Sequence, residues 1–172
     1  MDEQHAQKQR YWWVNQTRLH DIERDENKNV VAGEINVKKQ SKTHWGRSNV
    51  LEMKKNHLIV CYRSEIGIDQ LARVIEDGKP DSIPWDDDEK RKAYVAKVKY
   101  LSIKPIAKKD FWDDLENIAN YDEKTGPIDH IRRQIRYAYA MRLTKKGFDK
   151  IIELAESRNP GKVENWVDRY RM

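Results

Sequence analysis

The sequence predicts an α+β fold, a small, curved, mostly antiparallel sheet or open barrel that is flanked by helices. Three observations predict this class. Strand patterns come first, a short helix and further strands follow, and helical patterns close the chain. Long strand–helix–strand units, which would build a parallel sheet, are absent from the pattern. The length of 172 residues suits one domain with one core.

The first half of the chain is predicted to form short strands and one short helix. Its elements are a strand over 10–16, a charged loop over 21–29, an apolar patch over 30–33, a helix over 44–53 and a strand over 58–62. Thr43 is a suitable N-cap for the helix. The pair Asn56-His57 provides the turn into the strand. A second strand region over 66–76 is expected to bend near Gly67.

The second half contains the clearest strand and the clearest helix. The strand over 92–104 alternates, and its apolar face consists of Tyr94, Ala96, Val98 and Tyr100. Its other face carries Lys97 and Lys99. The helix over 144–157 begins at Thr144, and its apolar stripe consists of Phe148, Ile151, Ile152 and Ala155. Both patterns fit elements that cover one core.

Prolines are expected to end elements in this half. Pro80 and Pro84 indicate a loop over 78–89, and the Lys104-Pro105 step ends the long strand. A helix is predicted over 108–118, and residues 132–141 fit either a helix or a strand.

The predicted organisation has three parts. Residues 1–9 form a flexible leader, 10–157 the folded domain, and 158–172 a C-terminal tail that either docks or opens a linker.

Composition excludes several classes of protein. Cys61 is the single cysteine, so an internal disulfide and a cysteine-rich zinc site are both excluded. No apolar stretch approaches the ~18 residues of a membrane span, and the first ten residues lack a signal-peptide core. We therefore expect a cytoplasmic protein without a membrane partner. Histidine spacing fits no metal motif, and no glycine-rich phosphate loop is present, so no cofactor is predicted.

The opening run Tyr-Trp-Trp-Val-Asn-Gln is the most informative motif. A strand places Trp12 and Trp13 on opposite faces, so one ring can enter a core while the other faces a pocket. Asn15 is a poor β-former, and holding a flat, polar ligand would explain its presence. The alternative is a central strand that is buried on both sides, with the asparagine satisfied by backbone.

Four aromatic residues are candidates for one ligand pocket. They are Trp13, Trp45, Tyr62 and Trp85. A base that stacks on aromatic faces gains ~1–3 kcal/mol, and the Asn15 amide offers both a donor and an acceptor to the base edge. The alternative is that these rings belong to the core.

Charge is unevenly distributed along the chain. The formal net charge is +5, which favours polyanions. Two basic segments, 36–55 and 130–150, flank an acidic one at 76–90. They could clamp a nucleic-acid backbone, and the candidate contacts are Lys42, His44, Arg47, Arg132, Arg133 and Arg136. Tyr137 and Tyr139 could stack on bases. The alternative is a set of solvated charged faces.

A nuclease is a less favoured reading. Pro80-Asp81, followed by Asp88-Glu89-Lys90, has the letters of a PD-(D/E)xK metal site. That chemistry needs carboxylates fixed on neighbouring strands around Mg²⁺. Both halves instead lie in one short, turn-rich segment, which a solvated acidic loop explains better.

The opening motif resembles the first strand of EVE domains, which belong to the PUA-like group with YTH and ASCH domains. The similarity continues through the apolar patch at 30–33, His44-Trp45, and the strand 58–62 that ends in Tyr62. It extends over roughly residues 10 to 156. The chain departs from the family where Asn56-His57 replaces the usual Gly-Asp turn.

The resemblance implies a PUA-like fold and non-catalytic recognition of a modified base, 5-methyl- or 5-hydroxymethylcytosine in DNA being favoured. The base would be flipped into the aromatic pocket. Trp13, Asn15, Trp45 and Tyr62 map onto the pocket, and Arg63 and Ser64 could reach the base or its phosphate. It also implies a modification-dependent restriction system, with a nuclease as partner or fused domain. Binding of RNA remains an alternative.

Overall fold

The computed structural model describes residues 9–16, 23–25, 28–34, 46–83, 92–111 and 139–170. The strands are β1 (Tyr11–Asn15), β2 (Val30–Glu34), β3 (Leu58–Arg63), β4 (Gly67–Ser82), β5 (Lys92–Ile106) and β6 (Ala140–Leu143). The helices are α1 (Lys145–Arg158), α2 (Val163–Asp168) and the 3-10 helices Arg47–Glu52 and Lys108–Asp110.

The described strands form one mixed, curled sheet in the order β2-β5-β4-β3-β1-β6. Only β1 and β3 pair in parallel, and the other described pairings are antiparallel. Register shifts along β4 mark bulges, which bend a strand and increase its twist. The sheet curls into a half-barrel, and the predicted α+β class with a mostly antiparallel sheet is confirmed.

The sheet is buried on both faces. Trp12 lies in the cluster that fills the half-barrel, together with Val14, Cys61 and Val98. Trp13 lies in a second cluster on the outer face, which α1 and α2 cover. The opposite orientation of the two tryptophans is therefore confirmed, and both rings are fully buried.

The 3-10 helix Arg47–Glu52 packs against the inside of the half-barrel. Val50, and Met53 just after the helix, are fully buried in the cluster that fills the half-barrel, which we call the inner cluster. The helix is preceded by Gly46, at a φ of 81°. A Cβ on Gly46 would lie 2.4 Å from the carbonyl oxygen of Ala140, so only glycine fits here. The helix predicted over 44–53 is thus shorter, and its predicted cap, Thr43, lies outside the described residues.

Two predicted strand ends are wrong. β4 continues through Pro80 to Ser82, where a loop was expected, and β5 continues through Pro105 to Ile106. β3 pairs with β4 only as far as Arg73, so the part of β4 beyond it has β5 as its paired neighbour. A proline without an N–H is tolerated on such an unpaired edge or at a bulge, and the register is irregular between Ile68 and Gln70, opposite Pro105.

The C-terminal helices dock on the outer face. The Thr144 hydroxyl accepts a hydrogen bond of 2.8 Å from the Gly147 N–H, as the predicted N-cap requires. α2 buries Val163 and Val167 against the same cluster. The guanidinium of Arg73 lies 4.0 Å from the ring centre of Tyr170. Residues 163–170 therefore pack against the folded unit, which corresponds to the docked alternative for the C-terminal tail.

None of the helices in the described ranges is long and apolar enough to cross a membrane.

Candidate nucleic-acid interface

Four strands meet where the predicted ligand-binding motif ends. β1 and β3 end at this edge of the sheet, and β4 and β6 begin there. The N–H of Asn15 donates 2.8 Å to the carbonyl of Tyr139, and the N–H of Gln16 donates 2.8 Å to the carbonyl of Tyr62. We call it the Asn15 edge. The end of β1 is thus fixed between two neighbouring strands.

The parallel pairing of β1 and β3 makes Asn15 and Tyr62 neighbours. Their Cα atoms are register partners. Asn15 is two positions after Trp13, so its side chain leaves the same, outer face of the sheet. Only 7% of Asn15 is exposed. A buried amide at a strand end, beside an aromatic ring, is the arrangement that the opening motif predicts.

Buried polar side chains are concentrated at this edge. Gln16 and Glu23 are completely buried, and 8% of Arg47 is exposed. Arg47 follows Gly46, which contacts Ala140 at the start of β6. Sequence reasoning did not select Gln16 or Glu23. Gln16 was noted only as the last residue of the opening run, and only the fold shows that Glu23 is buried.

A hydrogen-bond network holds Glu23. Its Oε1 accepts from the Tyr139 hydroxyl at 2.6 Å, and its Oε2 accepts from Gln16 Nε2 at 2.8 Å. The Tyr139 hydroxyl also accepts 2.9 Å from the Ala32 N–H. One carboxylate therefore joins the end of β1, β2 and the start of β6. Tyr139 was expected to stack on bases, and that prediction is wrong because its ring is buried within the protein.

Arg24 extends the network to β4. Its Nε donates 2.7 Å to Gln16 Oε1, and its two terminal nitrogens bind both oxygens of Asp69 at 2.7 and 2.9 Å. Burial alone would lower the pKa of Arg24, but the hydrogen bonds and charge of Asp69 raise it. The Oε1 of Gln16 accepts from the Arg24 cation, and its Nε2 donates to the Glu23 carboxylate, so the orientation of the Gln16 amide is fixed.

Neighbouring ionisable groups are kept neutral by burial. Burial raises the pKa of Cys61 to about 12. Burial, followed by the negative charge of Glu23, raises the pKa of Tyr139 well above its usual value. Burial also raises the pKa of Tyr100. Cys61 is therefore a buried hydrophobe, as predicted, and not an activated nucleophile.

The aromatic rings on the outer face pack on one another. The ring centres of Trp13 and Tyr62 are 5.1 Å apart, and Phe111 lies 5.9 Å from Trp13. A base between two ring faces needs about 7 Å, twice a carbon–carbon contact, so none fits between these two. Their placement matches the alternative of core aromatics. The buried indole N–H of Trp13 nevertheless has no acceptor within the described part of the chain.

The other predicted site residues fall into three groups. Arg63 is half-buried, and Ser64 is exposed on the turn between β3 and β4 at the Asn15 edge. Arg47 is buried, which differs from the surface position expected for a phosphate contact. Seven residues lie outside the described ranges, namely Lys42, His44, Trp45, Trp85, Arg132, Arg133 and Arg136.

The described residues next to these segments do lie at the Asn15 edge. Gly46 directly follows Trp45 in sequence, and a Cβ on it would contact Ala140. Tyr139 follows the arginine-rich segment and accepts the Asn15 hydrogen bond. The roles of Trp45 and of Arg132, Arg133 and Arg136 remain predictions.

Within the described residues, the acidic residues of the nuclease motif do not form a site. Asp81 lies in β4, while Asp88 and Glu89 fall outside the described ranges. Within those ranges, no three His, Cys, Asp or Glu side chains come together as a metal site.

Comparison with known proteins gives a likeness in structure. No family model and no curated protein matches the chain in sequence. Human THYN1, solved in complex with DNA containing 5-methylcytosine, is 14% identical with a TM-score of 0.53, and the match covers 86% of this chain and 98% of THYN1. The Pho92 YTH domain, solved in complex with m6A, is 14% identical with a TM-score of 0.55, covering 89% of this chain and 87% of that domain.

A bacterial structure shares the fold as well. Rpa0253 from Rhodopseudomonas palustris is 16% identical with a TM-score of 0.54, and the match covers 86% of this chain and 94% of Rpa0253. Together these likenesses show that the chain has the PUA-like fold, as its resemblance to EVE domains implied.

Proposed function

We propose that this chain is a non-catalytic recognition module for nucleic acid that carries a modified base. The observation that carries the proposal is the buried Asn15 at the end of β1, fixed between Tyr62 and Tyr139 at one edge of the sheet. A buried amide offers one donor and one acceptor, which suits the polar edge of a base. The base would be flipped out of its stack to reach it.

Among the described residues, the buried indole N–H of Trp13 has no acceptor, and this supports the same edge as a binding site. Trp13 and Asn15 leave the outer face of β1 two residues apart. Leaving a buried donor without an acceptor costs about 1–3 kcal/mol, so such a group in a folded protein requires an explanation. An acceptor on a bound base would pair with this N–H and explain why it is left free of protein acceptors in the described residues. On this reading Trp13 acts through its polar edge, and not as one wall of a stacking cage.

DNA with a modified cytosine is the favoured ligand. The likeness to THYN1 in complex with 5-methylcytosine DNA supports it, and so does the basic character of the chain. In this proposal the module serves a modification-dependent restriction system in the cytoplasm, alongside a nuclease partner or fused domain. Trp45 would complete the pocket, and Arg132, Arg133 and Arg136 would hold phosphates.

Modified RNA is the second candidate. The likeness to the Pho92 YTH domain in complex with m6A supports it. The basic charge and the motifs of the chain fit modified DNA and modified RNA equally, so the sequence does not separate the two ligands. The experiment must therefore present both sugars.

Equilibrium binding to matched oligonucleotides tests the proposal. The set carries cytosine, 5-methylcytosine, 5-hydroxymethylcytosine, adenine or N6-methyladenine, as DNA and as RNA, single- and double-stranded, at one fixed salt concentration. We expect a preference of at least ten-fold for one modified base in its context. Equal, salt-dependent binding to every member would leave only a basic surface and would contradict the proposal.

Three variants separate base recognition from backbone binding. Asn15→Ala and Trp45→Ala should reduce the ratio between modified and unmodified ligand. Arg133→Ala should weaken all ligands alike and lower the salt dependence by about one counterion. Lys79→Ala is the matched control, because Lys79 lies outside both basic segments, pairs with Asp81, and is twelve positions beyond the start of β4 at the Asn15 edge. Identical behaviour of Trp45→Ala and Arg133→Ala would contradict this division of roles.

A further inference from the structure

One large apolar side chain is exposed at the Asn15 edge. Among the described residues, the exposed large hydrophobics are Ile66, with 41% of its surface exposed, and Ile75, with 37%. Ile75 lies nine positions further along, in β4, and therefore roughly 25–30 Å away along an extended chain. Only Ile66 is beside the site proposed above.

The turn that carries Ile66 directly extends the strands of the proposed site. β3 ends at Arg63, the turn covers Ser64 to Ile66, and β4 begins at Gly67. Tyr62, the register partner of Asn15, lies two positions before this turn. The tip of the turn is therefore about 7 Å beyond the Asn15–Tyr62 pair along the strand direction.

The backbone of this turn is held in one conformation. The N–H of Ile66 donates 3.0 Å to the carbonyl of Arg63. Gly67 has a φ of 110°, and a Cβ on it would lie 2.1 Å from the carbonyl oxygen of Ile106. The end of β5 thus packs directly against the start of β4. These contacts restrain the backbone of the turn, which limits the backbone entropy lost on binding.

A flipped base leaves a gap in the stack of a duplex. Unstacking costs a few kcal/mol, and proteins that distort DNA often insert an apolar side chain such as Ile or Leu between base steps. We propose that Ile66 is the wedge of this module and enters duplex DNA at the step from which the modified base is extruded. Arg63, at the end of β3, and Ser64, in the same turn as Ile66, would contact the flanking phosphates. This inference rests on the proposed function.

The two exposed isoleucines provide a matched test. Binding of Ile66→Ala and Ile75→Ala is measured with the preferred modified base in duplex DNA and in the same single strand. Burying an isoleucine is worth enough to change affinity about ten-fold. We expect Ile66→Ala to bind the duplex about ten-fold more weakly than wild type and the single strand less than two-fold more weakly. Ile75→Ala should match the wild type on both.

A second variant and a spectroscopic readout report on insertion itself. Ile66→Met keeps a flexible apolar side chain and should retain duplex binding. The fluorescence of 2-aminopurine placed next to the modified base should increase when the wild-type protein unstacks it. The increase should be smaller with Ile66→Ala. Thermal unfolding of each variant checks that the exposed substitutions leave the fold intact.

The outcomes distinguish the wedge from the function on which it rests. Suppose that the wild-type protein prefers a modified base. If Ile66→Ala then binds as tightly as wild type, or loses the same affinity on the duplex and on the single strand, the wedge alone is overturned. The same loss for Ile75→Ala also overturns it, since that residue is remote from the Asn15 edge. Wild-type protein without any preference for a modified base overturns the proposed function and the wedge together.

Discussion

The hydroxyl of Tyr139 donates a hydrogen bond of 2.6 Å to the carboxylate of Glu23, across 116 positions of sequence. Both residues are buried. The same hydroxyl accepts the N–H of Ala32 in β2, and the carbonyl of Tyr139 accepts the N–H of Asn15. One tyrosine therefore ties β1, β2 and the start of β6 to a single buried charge at the candidate site.

Tyr139→Phe should destabilise the protein more than the loss of one surface hydrogen bond would. The substitution leaves the Glu23 carboxylate without its short donor and the Ala32 N–H with only a long contact to Glu23. Hydrogen bonds to charged groups are worth about 1.5–3 kcal/mol, so we expect the free energy of unfolding to fall by about 2–3 kcal/mol. Urea unfolding measures it.

Tyr94→Phe is the control for that prediction. Tyr94 also packs against the inner cluster, but its hydroxyl has no hydrogen-bond partner in the described ranges. Its loss should change stability by less than about 0.5 kcal/mol. Equal effects of the two variants would mean that the Glu23 network contributes little.

Alkaline pH should destabilise the protein. The folded-state pKa values of Cys61, Tyr100 and Tyr139 are all raised by burial. A group with a raised folded-state pKa binds its proton more tightly when folded, so its contribution is complete below the unfolded pKa and is lost as pH rises through the folded one. For Cys61 this window runs from 9.0 to about 12.

Urea unfolding at pH 8, 9.5 and 11, with tyrosinate absorbance in parallel, checks the alkaline prediction. We expect stability to fall from about pH 9, each buried group contributing up to about 1.4 kcal/mol per pH unit inside its own window. Tyr100 and Tyr139 should ionise only together with unfolding. Full ionisation of all tyrosines in a protein that stays folded would contradict the burial of these two hydroxyls.

The sequence predicted the elements whose signals are local. The alternation around Tyr94 to Tyr100 and the cap at Thr144 both depend on neighbours within a few residues, and both are observed. The order of elements predicted the α+β class, and the resemblance of the opening motif to EVE domains implied the PUA-like fold. The alternation and the cap can be read from the sequence because their signals lie within a few residues of one another.

The failures have a tertiary origin. Pro80 reads as a breaker, but a strand with one unpaired edge accepts it, and sequence does not show where β3 stops pairing. Trp13 reads as a pocket wall, yet α1 and α2 cover that face from more than 130 positions away. Glu23 carries no local sign of burial, because its partners come from β1, β2 and β6.

Thr144→Ala should cost about 1 kcal/mol of stability. The Thr144 hydroxyl accepts the Gly147 N–H at 2.8 Å and satisfies one of the free donors in the first turn of α1. Alanine offers no acceptor, whereas serine restores it. Urea unfolding should rank Thr144→Ser close to wild type and Thr144→Ala below both, and equal midpoints for the two variants would contradict a capping role.

His57 should be required as a hydrogen-bond acceptor for Trp12. Its Nδ1 accepts the indole N–H of Trp12 and the backbone N–H of Lys54, each at 3.1 Å, and the imidazole is buried. His57→Ala leaves the buried Trp12 donor and the part-buried Lys54 donor unpaired, so we expect the free energy of unfolding to fall by about 2–4 kcal/mol. His57→Asn, whose amide oxygen can accept, should recover at least about 1 kcal/mol of that loss in urea unfolding. Equal losses for alanine and asparagine would show that His57 contributes by packing and not by accepting these hydrogen bonds.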